Sequence, residues 1–503
     1  MPSVLRTLSG RRGLLVTGAV VLVVVAAAVG VVVATGDGDG ERPLPASRKS
    51  IVVIMTDDQT LASLATMPHT QELLVDEGTT YSTAVASFPN CCPSRASYLS
   101  GQYAHTTGVL DNVGPHGGVT TFDADDALPV ALEQAGYDTI HIGKYLNGWG
   151  AFGDIEPPPG WTRWIGLVDP TTYQYTGYTL SYDGEPFTVG DGDDSYQTDK
   201  LAEEAVLEIQ KREGEERPFF LSFTPLAPHA ASPEAAAGQQ GADATFPTPV
   251  APERHADTFA DDLPDRPPSY DEEDVSDKPI NLRRPAISPG SAEYIERYQV
   301  AELGALAAVD EAVEQIVGAL EDTGRLDDTV IVFTSDNGLM HGEHRFVSGK
   351  FLLYEPSIRV PLVVRGPGFT PGAEVDTPVA NIDLAPTIAA VARIDLLDPP
   401  DGVSLLDRSV LRADDRAVLL ENFHEGEPND RGVRTKRWSL ITHTSGEREL
   451  YDLAADPDQM ESLAGDPSVA PVERALVGLL RELQDCRAAS CTVEVPPSLR
   501  EDA

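Results

Sequence analysis

The sequence predicts an α/β protein: a large mixed, mostly parallel sheet flanked by helices, with a small α+β subdomain at the C-terminal end. Three observations carry that prediction. Short apolar runs that end in polar residues recur along the chain, helical patterns lie between them, and the pattern changes after about Leu406. Strands buried on both faces read as continuous apolar runs, and strands alternating with helices give a sheet covered on both sides.

The first run, Ile51 to Met55, ends in Thr56-Asp57-Asp58 and is predicted as a buried parallel strand. Similar strands are predicted at Thr139–Ile142, Phe219–Thr224, Thr329–Thr334 and Val360–Val364. The clearest helix spans about Ser291–Leu320, where Leu306, Val309, Val313, Ile316, Val317 and Leu320 recur at three- and four-residue spacing. Gly324 offers a stop before the next strand. The stretch 230–289, rich in Pro, Ala, Asp and Gly, is expected to be a long surface excursion packed over the face that carries the site. Beyond Leu406, Val418–Leu420, Trp438–Thr442 and Glu449–Leu453 are predicted as antiparallel strands, followed by a helix near Val472–Gln484. This divides the folded part into a main domain, 50–405, and a C-terminal subdomain, 406–503. No internal repeat is evident.

Acidic residues outnumber basic ones 80 to 37 in the 503-residue chain, for a formal net charge of −43. That excludes nucleic acid or an anionic membrane surface as the main partner. Any anion-binding site must be a local basic pocket inside a repulsive field. At the start, Arg6, Arg11 and Arg12 (1–12) precede an uncharged run, 13–35, rich in Val and Ala. A membrane-spanning helix needs roughly 20 such residues, and basic residues before it favour a cytoplasmic N-terminus. The expectation is a single-pass signal-anchor with the catalytic part outside the cytoplasm, or a secreted protein if the segment is a cleaved signal; Ser9 to Leu15 loosely resembles a twin-arginine signal. No cysteine lies near the run, which excludes a lipoprotein anchor. The segment 36–49 reads as a flexible linker.

Of four cysteines, Cys486 and Cys491 are spaced to close a small disulfide loop, as fits an exported protein. Cys91 and Cys92 are adjacent, a geometry that disfavours a mutual disulfide, and need another explanation.

Polar residues collect after the predicted strands: Asp57 and Asp58 after the first, Lys144 after Thr139–Ile142, His229 after Phe219–Thr224, and Asp336 with Asn337 after Thr329–Thr334. In an open α/β sheet, ligands bind beyond the carboxyl ends of the strands. Asp57-Asp58 alone fits a turn or helix cap, and Asp336-Asn337-Gly338 alone is a common turn. Together, three carboxylates and an amide make an all-oxygen site for a hard cation, Ca²⁺ or Mg²⁺. Pro93 suits the first turn of a helix, which puts Cys91 at a helix N-terminus, where free amides and the dipole favour an anion or an activated nucleophile. A plain thiolate is one option there.

Cys91-Cys92-Pro93-Ser94-Arg95, followed by Leu99-Ser100-Gly101, is similar to the signature of type I sulfatases, in the alkaline phosphatase superfamily. The resemblance runs from Ile51 to about Leu453 and includes Gly143-Lys144, Pro228-His229, Ser335 to Gly338, Gly342 to Arg345, Gly349-Lys350 and Tyr354 to Pro361. It implies that Cys91 is oxidised to formylglycine by a separate formylglycine-generating enzyme. One hydroxyl of the hydrated aldehyde would attack sulfur as the ester oxygen leaves. The second would then lose its proton, the carbon–oxygen bond to sulfate would break, and the aldehyde would return. A thiol or serine lacks that release step. The resemblance also implies that Asp57, Asp58, Asp336 and Asn337, with the modified Cys91, hold Ca²⁺ rather than Mg²⁺. Arg95 would steady the formylglycine oxygens, Lys144 and Lys350 would neutralise sulfate oxygens, and His229 would donate a proton or hydrogen bond to the leaving oxygen.

The chain departs from the family where many members have Lys-x-His: here Lys144-Tyr145-Leu146-Asn147 leaves the histidine's role vacant or passes it to Asn147. His344 fits a pocket or a structural role equally. The segments around Cys91 and Lys144 look most like the branch of N-acetylglucosamine-6-sulfatases and heparan 6-O-endosulfatases. The expected substrate is therefore a sulfated glycan or small molecule, with aryl sulfates as artificial substrates. Two alternatives stay open: a phosphonate or phosphate ester hydrolase on the same scaffold, and a non-catalytic membrane-anchored calcium-binding protein.

Overall fold

The computed structural model describes residues 48–232, 247–407, 416–424 and 427–500. The basic segment 1–12, the apolar run 13–35, nearly all of the linker 36–49 and residues 233–246 of the 230–289 excursion lie outside the described residues. Among the described residues, no helix is long and apolar enough to cross a membrane.

The strands in chain order are β1 (Ser50–Thr56), β2 (Gly78–Tyr81), β3 (Ala84–Val85), β4 (Asp138–Gly143), β5 (Arg163–Leu167), β6 (Thr179–Tyr182), β7 (Glu185–Thr188), β8 (Phe219–Thr224), β9 (Thr329–Ser335), β10 (Leu362–Arg365), β11 (Ala373–Val375), β12 (Val379–Ala380), β13 (Val418–His424), β14 (Glu427–Arg434), β15 (Trp438–His443) and β16 (Arg448–Asp452). The principal helices are α1 (Cys91–Ser100), α2 (Leu128–Gln134), α3 (Gln197–Gln210), α4 (Pro289–Asp322), α5 (Leu384–Ala392) and α6 (Ala470–Leu483).

Ten strands form one sheet in the order β11-β2-β10-β9-β1-β8-β4-β5-β6-β7. Only β10 and β6 oppose the common direction. β1 is apolar throughout and fully buried because both its faces are covered, as the sequence predicts. Val52 and Ile54 point to the face covered by α3 and α4, where they meet Leu201, Ile209, Val309 and Val313. Ile51 and Val53 point the other way, into a core shared with Leu99 of α1, Leu132 of α2 and Ile388 of α5. Helix α4 starts on Ser288, whose side chain accepts from Ser291 N, with Pro289 in the first turn. Gly324 adopts the left-handed conformation two residues past its end.

The segment around Val360–Val364 departs from expectation: β10 is a strand but runs antiparallel to β9, with Val363 opposite Phe333. The link from β9 carries only a one-turn helix, Glu355–Ile358, and spends the rest of its length in loops. It makes no right-handed crossover, which a parallel partner requires.

At the C-terminal end, β13 to β16 form an antiparallel sheet in sequence order, covered by α6 through Leu476, Leu479, Leu480 and Leu483. β14 was not anticipated, because Glu-Pro-Asn-Asp-Arg-Gly carries no apolar alternation. This sheet shares one apolar core with Tyr103, Met340, Tyr354 and Ile358 of the main part. Cys486 and Cys491 form the expected disulfide.

The consequence for the site is directional. β9, β1, β8, β4 and β5 are neighbours and parallel, so their carboxyl ends open on one edge of the sheet.

Candidate active site

Cys91 is the first residue of α1, capped by Asn90 in extended conformation. It is fully buried, and its Sγ lies 2.8 Å from Lys350 Nζ and 3.5 Å from Asp57 Oδ1. Burial, reinforced by the Asp57 charge, pushes the thiol up to about 12 against the pull of Lys144 and Lys350. Burial therefore outweighs the helix N-terminus, and at neutral pH the group keeps its proton. Cys92 faces the apolar core, with its backbone N–H donating to Asn112 Oδ1 at 2.8 Å.

Asp57 and Asp58 leave the carboxyl end of β1, and Asp58 is held at φ 66. A non-glycine residue pays for that conformation, though Asp tolerates it better than most, and such strain collects at functional sites. Asp57 ion-pairs with Lys144 Nζ and lies 3.3 Å from Arg95 Nη2. Burial opposes its charge, but Lys144, Arg95 and Lys350 together hold the carboxyl well below the usual range. Asp58 Oδ1 accepts from Lys350 Nζ at 2.5 Å and from Asn337 Nδ2 at 2.6 Å. Asp336 Oδ1 accepts from Asp58 N at 3.1 Å and its Oδ2 from Arg95 Nε at 2.8 Å. Burial and the neighbouring Asp57 raise Asp336 to about 6, despite Arg95.

These residues fit a hard cation. One ligand atom each of Asp57, Asp58, Cys91 and His229 lie within 4.8 Å of one another. Asn337 Oδ1 is buried with no hydrogen-bond partner among the described residues, and an orphaned carbonyl oxygen on a side chain that touches Asp58 suits a cation ligand.

Arg95 has partners that its motif does not name. It spans Asp57 and Asp336 and donates through Nη1 to Lys144 O at 2.9 Å. In this structure it fixes two carboxylates beside Cys91. His229 Nδ1 lies 2.7 Å from Ala230 O, so it donates there and leaves Nε2, 3.6 Å from Asp58 Oδ2, as the open nitrogen. Burial lowers its pKa, partly offset by Asp58 and Asp57. The ring is therefore neutral at neutral pH.

The structure thus brings Asp57, Asp58, Cys91, Arg95, Lys144, His229, Asp336, Asn337 and Lys350 to one edge. Of the two further candidates, Asn147 belongs here: its Nδ2 donates to Tyr173 Oη at 2.7 Å. His344 makes its contacts elsewhere, with Nδ1 2.6 Å from Glu272 Oε2 and its ring 4.5 Å from Tyr354. Glu272 comes from the 230–289 excursion, so His344 ties that excursion to the loop after β9.

Two residues escaped the sequence reading. Ser94 Oγ donates to Asp336 O at 2.5 Å and accepts from Asn381 Nδ2 at 2.9 Å, bracing the loop that carries Asp336. It stood inside the Cys91 motif, so its signal was available. Tyr173 lies in a short turn after β5, with its ring 4.9 Å from Lys144 Nζ and 5.1 Å from the His229 ring. No motif marks it.

Comparisons with known proteins accord with this geometry. Residues 49–394 match the family described as Sulfatase, and residues 342–486 match N-sulphoglucosamine sulphohydrolase, C-terminal. The chain is 32% identical to an arylsulfatase of Volvox carteri, over 88% of this chain and 76% of that protein. It is 33% identical to the N-acetylglucosamine-6-sulfatase of Homo sapiens, over 88% of this chain and 86% of that one. Among solved structures, one described as a complex with its substrate D-glucosamine-2-N,6-O-disulfate superposes with a TM-score of 0.69 at 24% identity, covering 87% of this chain and 97% of that one.

Proposed function

The chain belongs to the sulfatase family and is a sulfuric ester hydrolase, and from that premise we propose that it removes sulfate from a carbohydrate using a formylglycine made from Cys91 and a bound calcium ion. The observation that carries the reading is the setting of Cys91. A thiol held near 12 is a poor nucleophile at neutral pH, yet Lys350, Lys144 and Arg95 surround it as they would an anion. Oxidation removes the contradiction. Hydrated formylglycine supplies a hydroxyl nucleophile and a self-releasing sulfated intermediate.

Asp57, Asp58, Asp336 and Asn337 would hold the calcium, which supplies Lewis-acid polarisation and charge. Arg95 keeps Asp57 and Asp336 ionised and in place. Lys144 and Lys350 project ammonium groups at the nucleophile and meet the equatorial sulfate oxygens; a positioned charge of this kind contributes about 100- to 1000-fold to turnover. His229 Nε2, the open nitrogen of a neutral ring, would take the proton that the attacking hydroxyl gives up and pass it to the leaving oxygen. The human N-acetylglucosamine-6-sulfatase relative supports a sugar sulfate as the substrate. An extracytoplasmic catalytic part is supported by the basic and apolar N-terminal segments and by the Cys486–Cys491 disulfide.

The test compares 4-nitrophenyl sulfate, phosphate and phosphonate with N-acetylglucosamine 6-sulfate, on protein whose Cys91 peptide has been examined by mass spectrometry. Sulfate turnover, stimulated by calcium and accompanied by modified Cys91, is expected. Preference for the phosphonate, or full sulfatase activity in Cys91→Ala, would overturn the reading.

A further inference from the structure

Tyr173 and Asn147 stand beside the catalytic charges without a task in the reaction as described. Asn147 lies three residues after Lys144, on the loop leaving β4, and Tyr173 reaches it from the turn after β5. The Tyr173 ring fills the space between Lys144 and His229, 4.9 Å from one Nζ and 5.1 Å from the other ring. Its hydroxyl oxygen accepts from Asn147 Nδ2, and among the described residues nothing takes the phenol proton. Asn147 Oδ1 is buried and has no partner among the described residues. The pair therefore offers one unused donor and one unused acceptor side by side, at the wall shared by a sulfate-facing lysine and the histidine that faces the leaving oxygen.

A buried polar atom without a partner costs free energy unless something satisfies it. The sulfate group cannot do so, since its oxygens only accept. A hydroxyl or an acylamino group on the leaving alcohol both donates and accepts, and so matches the pair. We infer that Tyr173 and Asn147 form a specificity element that reads a hydroxyl or acylamino group on the leaving alcohol, next to the sulfate ester, and so selects sugar sulfates over aryl sulfates. This rests on the reading of the chain as a carbohydrate sulfatase.

The experiment measures kcat and KM for the full, formylglycine-bearing enzyme and its Tyr173→Phe and Asn147→Leu variants, on N-acetylglucosamine 6-sulfate and on 4-nitrophenyl sulfate. Each variant should lower the sugar-over-aryl ratio of kcat/KM by about 10- to 100-fold, as for loss of a buried hydrogen bond to substrate. The loss should fall mainly in KM for the sugar. The double variant should lose no more than the worse single variant, because the two side chains act as one unit. A ratio within about threefold of wild type, or a parallel fall on both esters, overturns the inference and makes the pair a brace for Lys144 and His229. Wild-type enzyme that turns over the aryl ester and no sugar sulfate overturns the carbohydrate reading itself, and the inference with it.

Discussion

Lys350 gives a prediction in which stability and turnover move apart. Its ammonium lies 2.5 Å from Asp58 Oδ1, and the two side chains are 9% and 5% exposed. Burial disfavours its charge, but Asp58, Cys91 and Asp57 hold its pKa above the ordinary value. Lys350→Met keeps the bulk of the stem and removes the charge. Asp58 then retains Asn337 Nδ2 at 2.6 Å and the neutral His229 ring at 3.6 Å, but no cation. Stripping one member from a buried pair costs about 3–5 kcal/mol. The surviving Asn337 bond places this case near the lower figure, about 3 kcal/mol. Calcium restores a positive partner for Asp58, so the cost falls on the calcium-free protein alone. By linkage the variant should bind calcium about 100-fold more tightly than wild type, at about 1.4 kcal/mol per tenfold. Turnover should still fall about 100- to 1000-fold at saturating calcium, because a sulfate-facing charge is gone. Thermal unfolding in EDTA and across a calcium titration, with kcat measured alongside, checks both halves. Equal calcium-induced shifts of Tm in wild type and variant would refute the placement of the cation at Asp58.

Three further outcomes are expected. Cys91→Ala should fold normally by near-UV circular dichroism and show no sulfate release above background. His443 sits between Asp430 at 2.9 Å and Glu449 at 2.8 Å; burial opposes its charge, but those two hydrogen-bonded acids raise its pKa to about 9. A raised folded-state pKa stabilises fully below the unfolded value of about 6.5 and is lost as pH rises through 9, so the Tm advantage of wild type over His443→Gln should shrink between pH 6 and pH 9.5; a constant gap would contradict the assignment. The Cys486–Cys491 loop, of sequence separation 5, should contribute about 2 kcal/mol by chain entropy, so the double serine variant should lower Tm while leaving kcat unchanged.

How much of this could be read from the residues depended on where the information lay. β1, β4, β8 and β9 are buried on both faces, so their apolar runs announced them and the polar residues at their ends announced the site. The β6–β7 hairpin was equally local: Asp183 and Gly184, both at positive φ, form its two-residue turn, and that dipeptide stood in the sequence unread. β14 carries no such pattern, because its place comes from backbone pairing with β13 and β15 on both sides. The antiparallel course of β10 was hidden too, since a buried strand shows the same apolar run whichever way it points. Arg95 was recognised by its motif, but its partners Asp57 and Asp336 could not be read from that motif, because they arrive from two other strands. Tyr173 depends on three separate loops meeting at one edge, and nothing local marks it.

The net charge of −43 looks hostile to a sulfate ester, and the site shows how the two coexist. At physiological ionic strength the field of an exposed charge decays over about 8 Å, so acids scattered on the surface scarcely reach a buried pocket. Inside it, Asp57, Asp58 and Asp336 are matched by Arg95, Lys144 and Lys350 in direct contact. Three acids and three bases leave the pocket close to neutral, and His229 adds no charge because burial lowers its pKa. A divalent cation then makes the pocket a net dication facing a monoanionic ester. On the proposed reading the basic residues serve twice: they hold the carboxylates in register before the metal arrives, and face the sulfate once it has. Burial, with the charges of Asp57 and Asp58 beside it, raises Asp336 to about 6 against the pull of Arg95 and Lys144.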